Sequence, residues 1–147
     1  MSLYDKIVKN QTCLNTARAL RTKITERNKK KRVKGNYKFI DRKKDSEKLC
    51  IILAGYKQFL WEDVFGRIEK YVPQDIDVCI VSSGLYSEEL ANIAEKNNWS
   101  YLSVKQNKVS LVQNIAINLH TKAKKIYKLD EDIFITENFF EQLEKTY

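Results

Sequence analysis

The strongest constraint on the fold is an alternation that begins at Leu49. Leu49-Cys50-Ile51-Ile52-Leu53-Ala54 is an unbroken apolar run, the pattern of a strand buried on both faces rather than on one. After the loop Gly55 to Gln58, residues Trp61, Val64, Phe65, Ile68 and Val72 fall on one helical stripe, and Pro73 ends it. Asp77-Val78-Cys79-Ile80-Val81 is a second buried strand, closing in Ser82-Ser83-Gly84. Ser87 is placed to cap a helix running to Lys96, with Leu90, Ile93 and Ala94 inward. The same signals predict a third strand from Trp99 to Val104 and a third helix from Val109 to Ala123. A fourth strand follows from Ile126 to Leu129, then a closing helix from Asn138 to Lys145. Strands alternating with helices in this way build right-handed βαβ units and a parallel sheet. The expected fold class is therefore α/β, with an open, mostly parallel sheet in the order third, second, first, fourth strand.

Upstream of Leu49 the composition changes. The net charge of +8 divides unevenly: residues 1–48 carry 16 Lys/Arg against 5 Asp/Glu, and residues 49–147 carry 11 against 14. The chain reads as a basic, largely helical extension, residues 1–48, joined to a mildly acidic α/β domain, residues 49–147. In the extension, Leu3, Ile7, Leu14, Ala17, Leu20 and Ile24 mark one helical face, followed by the basic run Lys29-Lys30-Lys31-Arg32. Such an arm suits an anionic membrane surface or a polyanion, and it equally suits packing on the domain with its basic side to water. The acid excess downstream argues against the domain itself being a nucleic-acid binder. No apolar run reaches the ~20 residues of a membrane helix, and Met1-Ser2-Leu3-Tyr4-Asp5 offers no secretory core. Cys13, Cys50 and Cys79 lack C-x-x-C spacing, and two fall in the buried strands, as small apolar residues in a reduced compartment. The expected location is cytoplasmic, peripheral at the membrane where the arm engages it.

The chemistry is carried by Lys125-Ile126-Tyr127-Lys128-Leu129-Asp130-Glu131-Asp132-Ile133-Phe134-Ile135, an apolar run that delivers three acids and turns apolar again. Carboxylates at the carboxyl end of a parallel strand sit at the rim where open α/β sheets bind ligands. Their hard oxygens suit Mg²⁺ or Mn²⁺, which can in turn hold a diphosphate. The plain alternative is a solvated acidic turn. A dehalogenase-type phosphatase would want Thr or Val where this chain has Phe134, and its acidic motif in the first strand. A dinucleotide fold would want G-x-G-x-x-G where only Gly55 stands. His120, the sole histidine, lies at a helix end and reads as a C-terminal cap.

In this context Leu49–Phe140 resembles the nucleotide-binding half of GT-A glycosyltransferases, and is most similar to family 2 and its relatives. Ala54-Gly55-Tyr56-Lys57 sits where that family has a Pro-x-Tyr-Asn-like loop, and Val81-Ser82-Ser83-Gly84 where it has Asp-Asp-Gly-Ser. Asn107 to Ala116 is similar to its Asn-x-Gly-x-Ser-x-Ala-x-Asn segment, and Lys128-Leu129-Asp130-Glu131-Asp132 to its Asp-x-Asp strand end. The resemblance implies a Rossmann-like GT-A sheet and metal-dependent transfer of sugar from a nucleotide-diphosphate donor to an acceptor. It implies that Asp132 binds Mn²⁺ or Mg²⁺ directly and that Asp130 contacts ribose or the metal shell. It also implies that Ala54 and Tyr56 lie beside the nucleotide, and that Asn107 and Asn114 shape the loop over it. For both asparagines, capping and turn chemistry is an equal reading. Ser82 and Ser83 stand in place of the family's acids and offer uncharged hydroxyls to the nucleoside. The family's acceptor half and catalytic base fall beyond Tyr147, so the chain is expected to be a donor half with no assignable base. Its rim at Phe134, Phe139 and Phe140 is expected to be uncovered and to favour self-association. The competing class is a non-catalytic α/β interaction module that works through the basic arm.

Overall fold

The apolar runs at residues 49–53 and 78–81 make β2 (Lys48–Leu53) and β3 (Ile76–Ser83) strands with side chains buried on both faces. A computed structural model describes residues 36–146 of the chain, so residues 1–35 of the expected basic helical arm lie outside the described residues. The remaining elements are β1 (Tyr37–Ile40), α1 (Trp61–Tyr71) entered through a 3₁₀ turn at Gln58–Leu60, α2 (Glu88–Lys96), β4 (Ser100–Val104), α3 (Val109–Leu119), β5 (Lys125–Asp130) and α4 (Phe139–Thr146). They form an α/β structure around one mixed, mostly parallel sheet.

Strand order is β1-β4-β3-β2-β5, with β1 antiparallel to β4 and every other neighbouring pair parallel. The four strands expected from the alternation stand in the expected order. Helices cover both faces. On one, α1 and α2 set Trp61, Val64, Phe65, Ile68, Leu90 and Ala94 against Cys50, Ile52, Val78, Ile80 and Tyr101. On the other, α3 packs on β3 and β4 and buries Val112, Ile115 and Ala116, where Leu49, Ile51, Cys79, Val81 and Leu102 point by strand alternation. Cys50 and Cys79 are buried free thiols, and burial pushes the Cys50 thiol up to about 12 and Cys79 higher than an ordinary thiol.

Local signals end the helices as anticipated in two places. Ser87 accepts the Leu90 N–H at 3.2 Å, and Val72 takes an extended conformation ahead of Pro73. α3 is shorter than expected: it stops at Leu119, where His120 donates Nδ1–H to the Ala116 carbonyl at 2.6 Å.

Two larger differences concern the edges. The sheet begins at Tyr37, not Leu49, and the compact unit begins there too. Tyr37–Ile40 pairs with Tyr101–Val104, Phe39 meets the His120 ring edge-on at 5.9 Å, and Lys38 sets its ammonium 4.6 Å from the Tyr86 ring. A four-residue edge strand flanked by Lys and Arg carries too little periodicity to stand out from a basic arm. At the other edge, α4 turns its apolar face onto β5: Phe140 is buried, with its ring 5.4 Å from Tyr127, and Phe139 is half-buried. The rim expected at Phe134, Phe139 and Phe140 thus reduces to Phe134, which is 43% exposed beneath the Arg67 guanidinium. Among the described residues no helix is long and apolar enough to cross a membrane.

Candidate functional site

The chain leaves β2 for α1 and β3 on one side and returns through α3 to place β5 on the other side of β2. The strand order therefore reverses at β2, and ligands of open α/β sheets bind at the carboxyl ends of the strands flanking such a reversal. A cleft of about 260 Å³ lies there, lined by Leu53, Ala54, Tyr56, Lys57, Ser83, Asn107, Val109 and the acids Asp130, Glu131 and Asp132.

Alternation along β5, continued into the turn after it, sorts the three acids. Tyr127, Leu129 and Glu131 point into the core, while Lys128, Asp130 and Asp132 point out. Glu131 is only 7% exposed. Its carboxylate accepts the Gly55 N–H at 2.5 Å, the Tyr56 N–H at 3.1 Å and the Trp61 indole N–H at 3.2 Å. A buried anion is tolerable when its lone pairs are met in this way. Glu131 therefore clamps the loop after β2 onto the turn after β5, and so fixes both walls of the cleft. Alternation from Tyr127 could have identified it; the three acids instead read as one cluster, and no role was expected of Glu131.

Asp130 and Asp132 remain exposed on the cleft, as does Lys57. Lys57 Nζ lies 2.6 Å from Asp132 Oδ2, and this hydrogen bond and charge hold the Asp132 carboxyl below its ordinary range and the Lys57 ammonium above its own. Across the cleft, the Tyr56 hydroxyl donates to the Ser83 carbonyl at 2.8 Å. The phenol ties the loop after β2 to the end of β3, and Tyr56 is 64% exposed, a flat face held in place. Ser83 Oγ donates to Asn107 Oδ1 at 3.0 Å. Gly84 permits that approach: it takes φ +81°, and a Cβ there would lie 2.7 Å from Asn107 Cβ.

Of the residues singled out in the sequence, Ala54, Tyr56, Ser83, Asn107, Asp130 and Asp132 thus come together around one cleft. Ser82 does not line it. Its hydroxyl is buried, donates to the Leu85 carbonyl at 2.8 Å and pairs with the Tyr101 hydroxyl at 2.7 Å. Asn114 lies exposed on α3, also outside the cleft lining.

The donor set bears on a cation. Among the described residues no three His, Cys, Asp or Glu side chains group as a ready-made metal cage. Mg²⁺, however, is typically held by one or two carboxylates together with substrate phosphates, and Asp130 and Asp132 supply that number. In this structure the Asp132 carboxylate is paired with the Lys57 ammonium. Comparison of the chain with protein-family models, with curated proteins and with solved structures finds no match in any of the three.

Proposed function

We propose that this cleft binds the nucleotide-diphosphate part of a sugar donor, as the donor site of a metal-dependent GT-A glycosyltransferase. One observation carries the proposal: the exposed carboxylates of Asp130, at the end of β5, and Asp132, in the turn after it, line with the pinned Tyr56 a common cleft where the strand order reverses. Tyr56 offers the base a fixed face to stack on, at little entropic cost because its hydroxyl is already tied. Ser83 and Asn107, at the same wall, offer a hydroxyl and an amide for the ribose. Asp130 and Asp132 would hold Mn²⁺ or Mg²⁺ between them and the diphosphate, and a cation so held supplies charge stabilisation to a departing diphosphate. Glu131 does not touch the ligand; it keeps the Gly55–Lys57 loop and the acidic turn in register.

Calorimetry with UDP in Mn²⁺ tests this, comparing the parent with Asp132→Ala and with added chelator. Loss of a carboxylate ligand, and chelation, should each weaken UDP binding by roughly tenfold or more, the least expected when a metal site is disrupted. Equal affinity in both proteins, unaffected by chelator, removes the metal. No UDP binding to the parent removes the donor site and leaves an interaction module.

A further inference from the structure

We propose that Lys57 is the built-in counter-cation of this cleft: it holds Asp132 until a divalent cation replaces it, and then passes its ammonium to the diphosphate. This rests on Asp132 being the cation's ligand. Among the described residues Lys57 is the one basic residue lining the cleft, against the carboxylates of Asp130, Glu131 and Asp132. Its backbone has little freedom. The two preceding amides are bound to Glu131, and its own carbonyl accepts the Leu60 N–H at 3.0 Å. Only the four-carbon stem can move, and it carries the charge within reach of the cleft. The ion pair is open to water, with side-chain exposures of 47% and 44%, so exchange is cheap.

Ion pairing then disfavours each half-loaded state. A divalent cation alone must displace the ammonium and leave it without a partner. A diphosphate alone must pull the ammonium away and face three carboxylates, two of them exposed. With both present, the cation sits between the exposed carboxylates and the diphosphate and the ammonium on a phosphate oxygen, so each cation keeps an anionic partner. Lys57 thereby links the two binding events, and the linkage is reciprocal.

Titration of Mn²⁺ alone into the full chain, followed by water-proton relaxation, and of UDP at saturating Mn²⁺, followed by calorimetry, tests the exchange. Lys57→Met should bind Mn²⁺ alone about two- to fivefold more tightly, the factor an exposed ion pair commands. The same variant should bind UDP with Mn²⁺ more weakly by a similar factor, and Lys57→Arg should stay near the parent in both. Asp132→Asn should lose Mn²⁺ binding in either background. If it does, yet Lys57→Met fails to tighten Mn²⁺, the counter-cation role is overturned and the metal site stands. If Lys57→Met leaves UDP affinity unchanged, the transfer to diphosphate is overturned. If Asp132→Asn binds Mn²⁺ like the parent, both the exchange and the metal site fall.

Discussion

Glu131 gathers the Gly55 and Tyr56 amides and the Trp61 indole on one buried carboxylate, so truncating it strands donors that water reaches poorly. Each buried donor left without an acceptor costs about 1–3 kcal/mol. Glu131→Ala should therefore lower the unfolding free energy by roughly 2–4 kcal/mol in urea titrations, and should weaken UDP binding although the residue does not touch the ligand. Trp61→Phe removes one donor together with its indole and leaves the carboxylate on the two amides, so its effect should be the smaller. If Glu131→Ala is as stable as the parent, the clamp is not what orders the loop. At this scale the sequence was partly legible. The place of Asp130 and Asp132 on the cleft was readable because they follow the apolar run of a parallel strand, whose carboxyl end is the rim of the sheet. Lys57 was not, because a lone lysine in a loop carries no pattern, and its partner lies 75 positions away. Ser82 and Ser83 read alike as neighbours, yet opposite-facing side chains send one to the core and the other to the cleft.

Elements were legible in proportion to their periodicity. α1 and α2 run from the signalled start to the signalled stop because one apolar stripe and one cap or proline agree. β1 was hidden by its lysines, and α4 was expected as a helix without its burial being foreseen. The attachment of α4 is partly polar. Tyr127 Oη donates to Glu144 Oε1 at 2.8 Å, and Lys48 Nζ reaches the same oxygen at 2.6 Å. Burial first, then the bond to Glu144, pushes the Tyr127 phenol from 10.0 up to about 12. A raised pKa means that the folded state prefers the neutral phenol. This contribution is complete below the unfolded value near 10 and is lost as pH rises from about 10 to 12. Lys48, also raised by Glu144 and Asp75, loses its contribution in the same direction. Urea midpoints measured from pH 8 to 12 should fall along that limb. Tyr127→Phe should begin about 0.5–1.5 kcal/mol less stable at pH 8 and then fall less steeply. Parallel curves for the two proteins would exclude Tyr127 as a source of the alkaline loss.

Across the whole molecule, the alternation of strand and helix was enough to order four strands, because parallel sheets with short connections admit few arrangements. The boundary of the folded unit was not, because net charge was taken to follow fold. With the unit beginning at Tyr37, residues 37–147 hold 16 Lys/Arg against 17 Asp/Glu, and the basic excess falls in residues 1–36, with 11 against 2. Residues 37–48 are basic yet bound into the sheet. Arg42 donates its backbone N–H to Ser100 Oγ and Nη1–H to the Trp99 carbonyl, at 2.9 and 2.8 Å. The backbone amides of Lys44 and Ser46 donate to the buried carboxylate of Asp77 at 2.8 and 3.0 Å. A fragment of residues 37–147 should therefore unfold in one cooperative transition. A fragment of residues 49–147 loses β1, bares the β4 edge and leaves Asp77 without those two amides. Removing the partners of a buried charge costs about 3–5 kcal/mol, which approaches the whole stability of a domain of this size. Thermal melts of the two fragments decide it. The longer should melt sharply and the shorter should be largely unfolded or aggregated, since an uncovered strand edge pairs with other chains. If the shorter fragment melts as sharply and as high, β1 is an ornament on the sheet and residue 49 is the true boundary.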